Sequence, residues 1–266
     1  MEGDLAGSEF PFADGILGGN TALVCGASKG IGRACALMLA RGGARVIACA
    51  RSSSDLDSLI QEMHGEGHEA IELDLEDIAG VEKMVRDIGP IHILVNNSGG
   101  PPGGPLLEND LEDFEGPFRR HLHASHTLTK ALVPDMESEG TGRIVNIIST
   151  SVREPIDNIG LSNTLRGAMA SWSKSLSREL HSCITINNIL PGFTDTDRLG
   201  SLASSISERT GNSVEDITEG WLGGVPIQRL VSPLETAVAA TFLCLPSSGA
   251  IRGVSLAVDG GRMRSI

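Results

Sequence analysis

The chain has 266 residues, 21 Lys and Arg against 34 Asp and Glu, a formal net charge of −13, and no tyrosine. That length buries a full core without disulfide or metal staples and suits one large α/β domain. The acidic balance excludes a general binder of nucleic acid or of anionic membrane, because both repel such a surface.

Residues 1–18 carry Glu2, Asp4, Glu9 and Asp14 but no Lys or Arg. They are expected to form a flexible acidic tail, not a secretory or transit signal, ahead of a domain over 19–266. Short apolar runs at 21–25, 45–50, 69–73, 91–95, 143–148, 185–190 and 255–258 are the expected strands. Helical patterns at 31–41, 55–65, 81–88, 111–137, 165–180 and 233–245 separate them. Several strands are apolar at nearly every position, as strands covered on both faces are. Strict alternation of strand and helix predicts a seven-stranded parallel sheet, doubly wound by right-handed crossovers.

Two segments break the rhythm. Residues 99–105 (GGPPGGP) form a loop that cannot be helical. Residues 192–224 form a polar, Ser-rich insertion with a short helical pattern of its own. Both follow carboxyl ends of strands, where open α/β sheets bind ligands, so both are expected to shape a substrate pocket. No apolar run approaches the ~18 residues needed to cross a bilayer, so no membrane partner is expected. Cys25, Cys35, Cys49, Cys183 and Cys244 form no metal-ligand spacing. They read as reduced thiols of a cytoplasmic protein with no metal site.

The first strand runs into Cys25-Gly26-Ala27-Ser28-Lys29-Gly30-Ile31-Gly32. Gly26, Gly30 and Gly32 allow a tight turn and a close approach to a pyrophosphate, while the helix that follows offers free N–H groups and the positive end of its dipole. A NAD site usually places an acid at the end of the second strand, to bond the ribose hydroxyls. Here that strand ends Cys49-Ala50-Arg51. Arg51 and Lys29 are suited to a 2′-phosphate, which favours NADP(H) over NAD(H); the alternative is two ordinary surface bases.

With these residues the chain resembles the short-chain dehydrogenase/reductase family, nearest its 3-oxoacyl-(acyl carrier protein) reductase-like members, over about residues 19–263. The glycine turn is similar to the family's TGxxxGIG, with Cys25 where Thr is usual. Asp74-Leu75 resembles the pair that brackets the adenine, and Asn96-Asn97-Ser98-Gly99 the NNAG segment lining the cofactor cleft. Pro191-Gly192-Phe193-Thr194 resembles the segment beside the nicotinamide, and Val258-Asp259-Gly260-Gly261 the C-terminal VDGG. The resemblance implies a single-domain Rossmann-type three-layer αβα sandwich and a homo-oligomer, tetramer or dimer. It implies cofactor contacts from Gly26, Ser28, Lys29, Gly30, Ile31, Gly32, Arg51, Asp74, Leu75, Asn97, Gly99, Pro191, Gly192 and Thr194.

The catalytic end departs from the family pattern of Ser, Tyr, a Lys four residues later, and a relay Asn. Ser149 matches the serine; Ser162 stands at the Tyr position, Arg166 at the Lys position and His121 at the Asn position. An aliphatic hydroxyl is several units less acidic than a phenol of pKa ~10, and Arg orients groups without passing on a proton. No alignment slip restores the family mechanism, because there is no tyrosine to slip onto.

Three readings stay open. Hydride transfer persists, with His121 managing the proton and Arg166 on the cofactor ribose or an anionic substrate; or the site serves elimination, isomerisation or addition; or the chain binds nucleotide or a partner without turnover. Against the site roles stand blander ones: His121, His123 and His126 as surface histidines, Ser162 as a helix N-cap or substrate hydrogen-bonder, and Arg166 in a structural salt bridge. The leading expectation is an NADP(H)-dependent oxidoreductase of a small ketone or alcohol, free or carried on an acyl carrier, with an atypical proton donor.

Overall fold

The computed structural model describes residues 10–265. The strands are β1 (Thr21–Cys25), β2 (Arg45–Ala50), β3 (Glu69–Glu72), β4 (Ile93–Asn96), β5 (Gly142–Ile147), β6 (Ile184–Pro191) and β7 (Ser255–Val258). They form one seven-stranded sheet in the order β3-β2-β1-β4-β5-β6-β7, with every neighbouring pair parallel. The helices are α1 (Gly30–Arg41), α2 (Ser53–Glu62), α3 (Ile78–Asp87), α4 (Leu111–Phe118), α5 (Ala124–Ser138), α6 (Gly160–Glu179), α7 (Asp197–Thr210), α8 (Val214–Leu222) and α9 (Pro233–Cys244). The expected Rossmann-type αβα sandwich is the observed architecture.

Alternate residues of each strand serve opposite faces, so the apolar runs feed two cores. Ala22, Val24, Val46, Val145 and Ile147 pack with Met38 and Leu39 of α1, Leu56 and Leu59 of α2 and Leu243 of α9. Leu23, Ile47, Leu94, Ile144 and Ile186 pack on the other face with Val81 of α3 and Leu128, Leu132 and Met136 of α5. No helix among the described residues is long and apolar enough to cross a membrane.

The strand order reverses between β1 and β4, which opens a crevice at their carboxyl ends. Across β4, β5, β6 and β7 a row of polar side chains lies in register, the buried Asn96, Asn146 and Asn188 and the partly buried Ser255. Asn96 Nδ2 donates to Asn146 Oδ1 (2.8 Å), Asn146 Nδ2 to Asn188 Oδ1 (2.9 Å), and Asn188 Nδ2 to Ser255 Oγ (3.1 Å). The chain of amides pins the register of the half-sheet that carries the catalytic candidates.

Four expectations change. Residues 1–9 of the expected tail lie outside the described residues, but residues 10–18 pack on the domain. Leu17 is fully buried, its N–H donates to Gly42 O (2.8 Å), and Phe10 and Phe12 lie against the core. The helix expected over 111–137 is interrupted by a π turn at Arg119–His123, just after Pro117 removes an N–H from α4. The insertion at 192–224 holds two helices, α7 and α8. The last expected helix but one begins at Gly160 instead of 165, with Ile159 as its N-cap.

Asn146→Ala removes the central amide of the row and leaves Asn96 Nδ2 and Asn188 Oδ1 without partners. We expect the variant to lose ~2–4 kcal/mol of unfolding free energy in a urea titration, with no change in slope.

Candidate active site

A single cleft of about 680 Å³ runs over the carboxyl ends of the strands. Its nucleotide end is built by backbone. Gly26 (φ +59°) and Gly30 (φ +55°) adopt left-handed conformations that favour glycine. Gly32 faces away from the cleft and makes the turn possible: a Cβ there would lie 2.1 Å from Gly26 O. Asn97 Nδ2 donates to Cys25 O (3.3 Å) and Gly26 O (3.1 Å), locking the loop after β4 onto the turn after β1. Lys29, the N-cap of α1, places no side chain over the helix end, so the first N–H groups stay free for an anion. Burial holds the Cys25 thiol well above its ordinary pKa, so it is not a nucleophile.

Of the expected cofactor residues, Gly26, Ser28, Lys29, Gly30, Ile31, Arg51, Asp74, Leu75, Asn97, Gly99, Pro191, Gly192 and Thr194 line the cleft, while Gly32 supports it from behind. Lys29 is shared between Asp55 (3.8 Å) and Asp197 (3.9 Å). Arg51 is exposed on the cleft rim, next to Ala50 at the end of β2.

At the other end stand Ser149, Ser162 and Arg166. Ser149 Oγ accepts from Ser151 N–H (3.0 Å), which leaves its own proton free to donate. Ser162 lies in the first turn of α6 and not at its N-cap, so that reading is corrected. Arg166 is buried, with only 8 % of its surface exposed. Its Nη1 donates to Ile147 O (3.0 Å) and His121 Nδ1 (3.3 Å). No carboxylate pairs with it among the described residues, which corrects the structural salt bridge. Burial, and secondarily the charge of Arg198, push its pKa down to about 10, so it stays cationic at neutral pH.

His121 is neither a surface histidine nor a cleft residue. It is buried behind the wall, where Ser98 Oγ lies 2.8 Å from Nδ1 and Gly99 O lies 3.0 Å from Nε2. A carbonyl only accepts and a guanidinium only donates, so Nε2 must carry the proton and Nδ1 must accept. Burial, then the charge of Arg166, hold its pKa well below 6.5, against an opposing hydrogen bond to Gly99. The expected proton manager is therefore a neutral acceptor that orients Arg166. His121 stands within the π turn Arg119–His123.

Two further arginines reach the cleft. Arg120 is neutralised by Glu76 (2.8 Å). Arg198, in the first turn of α7, donates through Nη2 to Pro101 O of the Gly/Pro-rich loop. Partial burial and then the charge of Arg120 lower its pKa. No local pattern marks Arg198 in the sequence; only its place in the insertion points toward the pocket.

The family model for short chain dehydrogenases matches residues 20–206. The chain belongs to the short chain dehydrogenase family. It is 33 % identical over 252 residues to the 3-oxoacyl-(acyl-carrier-protein) reductase FabG of Vibrio harveyi, covering 92 % of this chain and 98 % of the relative. It is 31 % identical over 258 residues to the NADPH-dependent reductase BacG of Bacillus subtilis, covering 92 % and 98 %. The solved structure of L-sorbose reductase from Gluconobacter frateurii, complexed with NADPH and L-sorbose, superposes with a TM-score of 0.87 at 27 % identity, covering 94 % of this chain and 98 % of that one.

His121 gives a pH signature. Its folded pKa lies below the unfolded value of 6.5, so the unfolded state binds more protons in acid and stability falls as pH drops below about 6.5. We expect this component to reach ~1.4 kcal/mol per pH unit in wild type and to be missing from His121→Gln, as measured by denaturant unfolding between pH 5 and 7.5.

Proposed function

We propose that the protein is an NADP(H)-dependent reductase of a small carbonyl compound, working without a tyrosine proton donor. One observation carries the reading: a single cleft joins the glycine turn and Arg51 to Ser149, Ser162 and Arg166. The cradle fits a dinucleotide, since Gly32 allows no side chain, Gly26 and Gly30 hold the turn, and the end of α1 is uncapped. The strand end at Ala50-Arg51, with a guanidinium where a ribose-binding acid would stand, and the NADPH named for BacG and for the sorbose reductase structure support NADP(H). The first part of the 192–224 insertion, through Leu202, lines the cleft, which supports a substrate-loop role for it in a single-domain enzyme.

The nicotinamide, when bound, supplies the hydride. The chain supplies stabilisation for the negative charge that grows on the carbonyl oxygen. Ser149 donates its free hydroxyl proton in a hydrogen bond to that oxygen, and Ser162 offers a second donor. Arg166 contributes a fixed positive charge inside a low-dielectric wall, where its effect is greatest. His121 is a positioning residue for Arg166. No His, Cys or Tyr lines the cleft, so the proton reaches the product oxygen from solvent through the serine hydroxyls. The same observation favours a second reading, a nucleotide binder without turnover.

The relatives' names support a ketoreductase-like role with a small or acyl-carrier-linked substrate, and the unpaired cysteines among the described residues suit a cytoplasmic setting. Phe242 on α9 and Leu256 on β7, both about two-fifths exposed at 40 % and 39 %, support a homo-oligomer built on that edge.

Arg51→Ala is expected to weaken NADPH by about ten- to a hundred-fold in a fluorescence titration and to leave NADH nearly unchanged. Equal weakening of both removes the NADP assignment. The pair Ser162→Tyr with Arg166→Lys restores a general acid and is expected to raise carbonyl-dependent NADPH oxidation by about 10²–10⁴-fold. An unchanged rate with NADPH still bound favours the binder.

A further inference from the structure

The substrate end of the cleft holds more positive charge than the proposed reduction uses. Arg120 has Glu76, but Arg166 and Arg198 have no carboxylate among the described residues. They face one small space. An ideal Cβ built on Gly100 lies 3.7 Å from Arg166 Nη2, 3.8 Å from Arg198 Nη2 and 3.9 Å from Ser162 Oγ. Arg166 spends Nη1 on the protein, while Nη2 makes no hydrogen bond to it. Arg198 is held in place by Pro101 O and so arrives at this space already oriented.

After burial, the charge of Arg198 helps to lower the pKa of Arg166 and the charge of Arg120 helps to lower that of Arg198, so guanidinium groups crowd this end of the cleft. Such a cluster inside a protein of net charge −13 is stable at a cost, and an anion between the two guanidinium groups relieves it. Ile159, Leu199 and Leu202 line the same end of the cleft and suit an apolar body behind a single charged head. A planar carboxylate matches the guanidinium fork.

We propose that the substrate carries a carboxylate near its reacting carbonyl, and that Arg198 binds it, leaving Arg166 and Ser162 to face the carbonyl oxygen. The proposal rests on the reductase reading above and names its substrate class. Arg198 is the residue that selects an acid over its neutral analogue.

The test uses three acids with a carbonyl at different distances from the carboxylate, phenylpyruvate, acetoacetate and levulinate, each beside its methyl ester. NADPH oxidation is followed for each, and binding of each acid to the NADP⁺-loaded protein is measured by calorimetry. At least one acid is expected to exceed its ester by about ten- to a hundred-fold, the worth of one charge-assisted contact. Arg198→Gln is expected to remove most of that preference, and Arg198→Lys to restore part of it. Arg198→Gln should weaken NADPH less than it weakens the acid.

An ester equal to its acid overturns the proposal while leaving the reductase reading intact. So does a failure of every acid to bind, or an Arg198→Gln variant that loses NADPH but keeps its preference for the acid. Binding of an acid that depends on Arg198, with no oxidation of NADPH by any compound, supports the carboxylate site and defeats the reductase reading instead.

Discussion

Burying the Arg166 guanidinium with no carboxylate beside it costs several kcal/mol unless its N–H groups find acceptors. Ile147 O and His121 Nδ1 supply two. Much else follows from that choice. His121 has to stay neutral with its proton on Nε2, which commits Gly99 O as acceptor and Ser98 Oγ as a second donor to Nδ1. The loop after β4, the π turn before α5 and the first half of α6 are thereby tied to one another. The charge itself stays unneutralised and faces the cleft.

The two ends of the cleft are built on different principles. At the nucleotide end the important atoms are backbone, and the side chains that matter act by being absent or by bracing. Gly32 leaves room for Gly26 O, and Asn97 clamps the turn. At the substrate end the proposed chemistry is a fixed electrostatic field. A tyrosine beside a lysine works by having a proton to give near neutral pH. A serine beside a buried arginine has none to give, but it offers donors and a permanent charge where an oxyanion forms. On the proposed reading, Ser162 and Arg166 in place of Tyr and Lys change how negative charge is handled. Uncompensated Arg198 extends the same field toward the substrate.

The sheet and the nucleotide cradle were legible because their signals are local. An apolar run between two helical patterns reads as a buried parallel strand, and a glycine turn carries its geometry in consecutive residues. The Asn row was not legible: Asn96, Asn146 and Asn188 look like isolated polar residues in apolar strands until register aligns them. His121 misled for a geometric reason. It sits in a polar stretch whose local pattern does not show that Ser98, Gly99 and Arg166 close over it in the fold. Arg198 meets Arg166 through tertiary structure alone, from a polar helix whose pattern resembles any solvated surface. Ser162 lines the cleft, but its role as N-cap fails because α6 begins earlier, at Gly160.

The central claim is that fixed charge and serine hydroxyls, with no titrating side chain, support hydride transfer in this cleft. The most direct measurement is stopped-flow single turnover of the NADPH-loaded protein with the fastest-reacting of phenylpyruvate, acetoacetate and levulinate, across pH. The account predicts a hydride-transfer rate that stays level between about pH 6 and 8.5, because no His, Cys or Tyr lines the cleft. A rate that breaks near neutrality, or bound NADPH that is never oxidised, contradicts it.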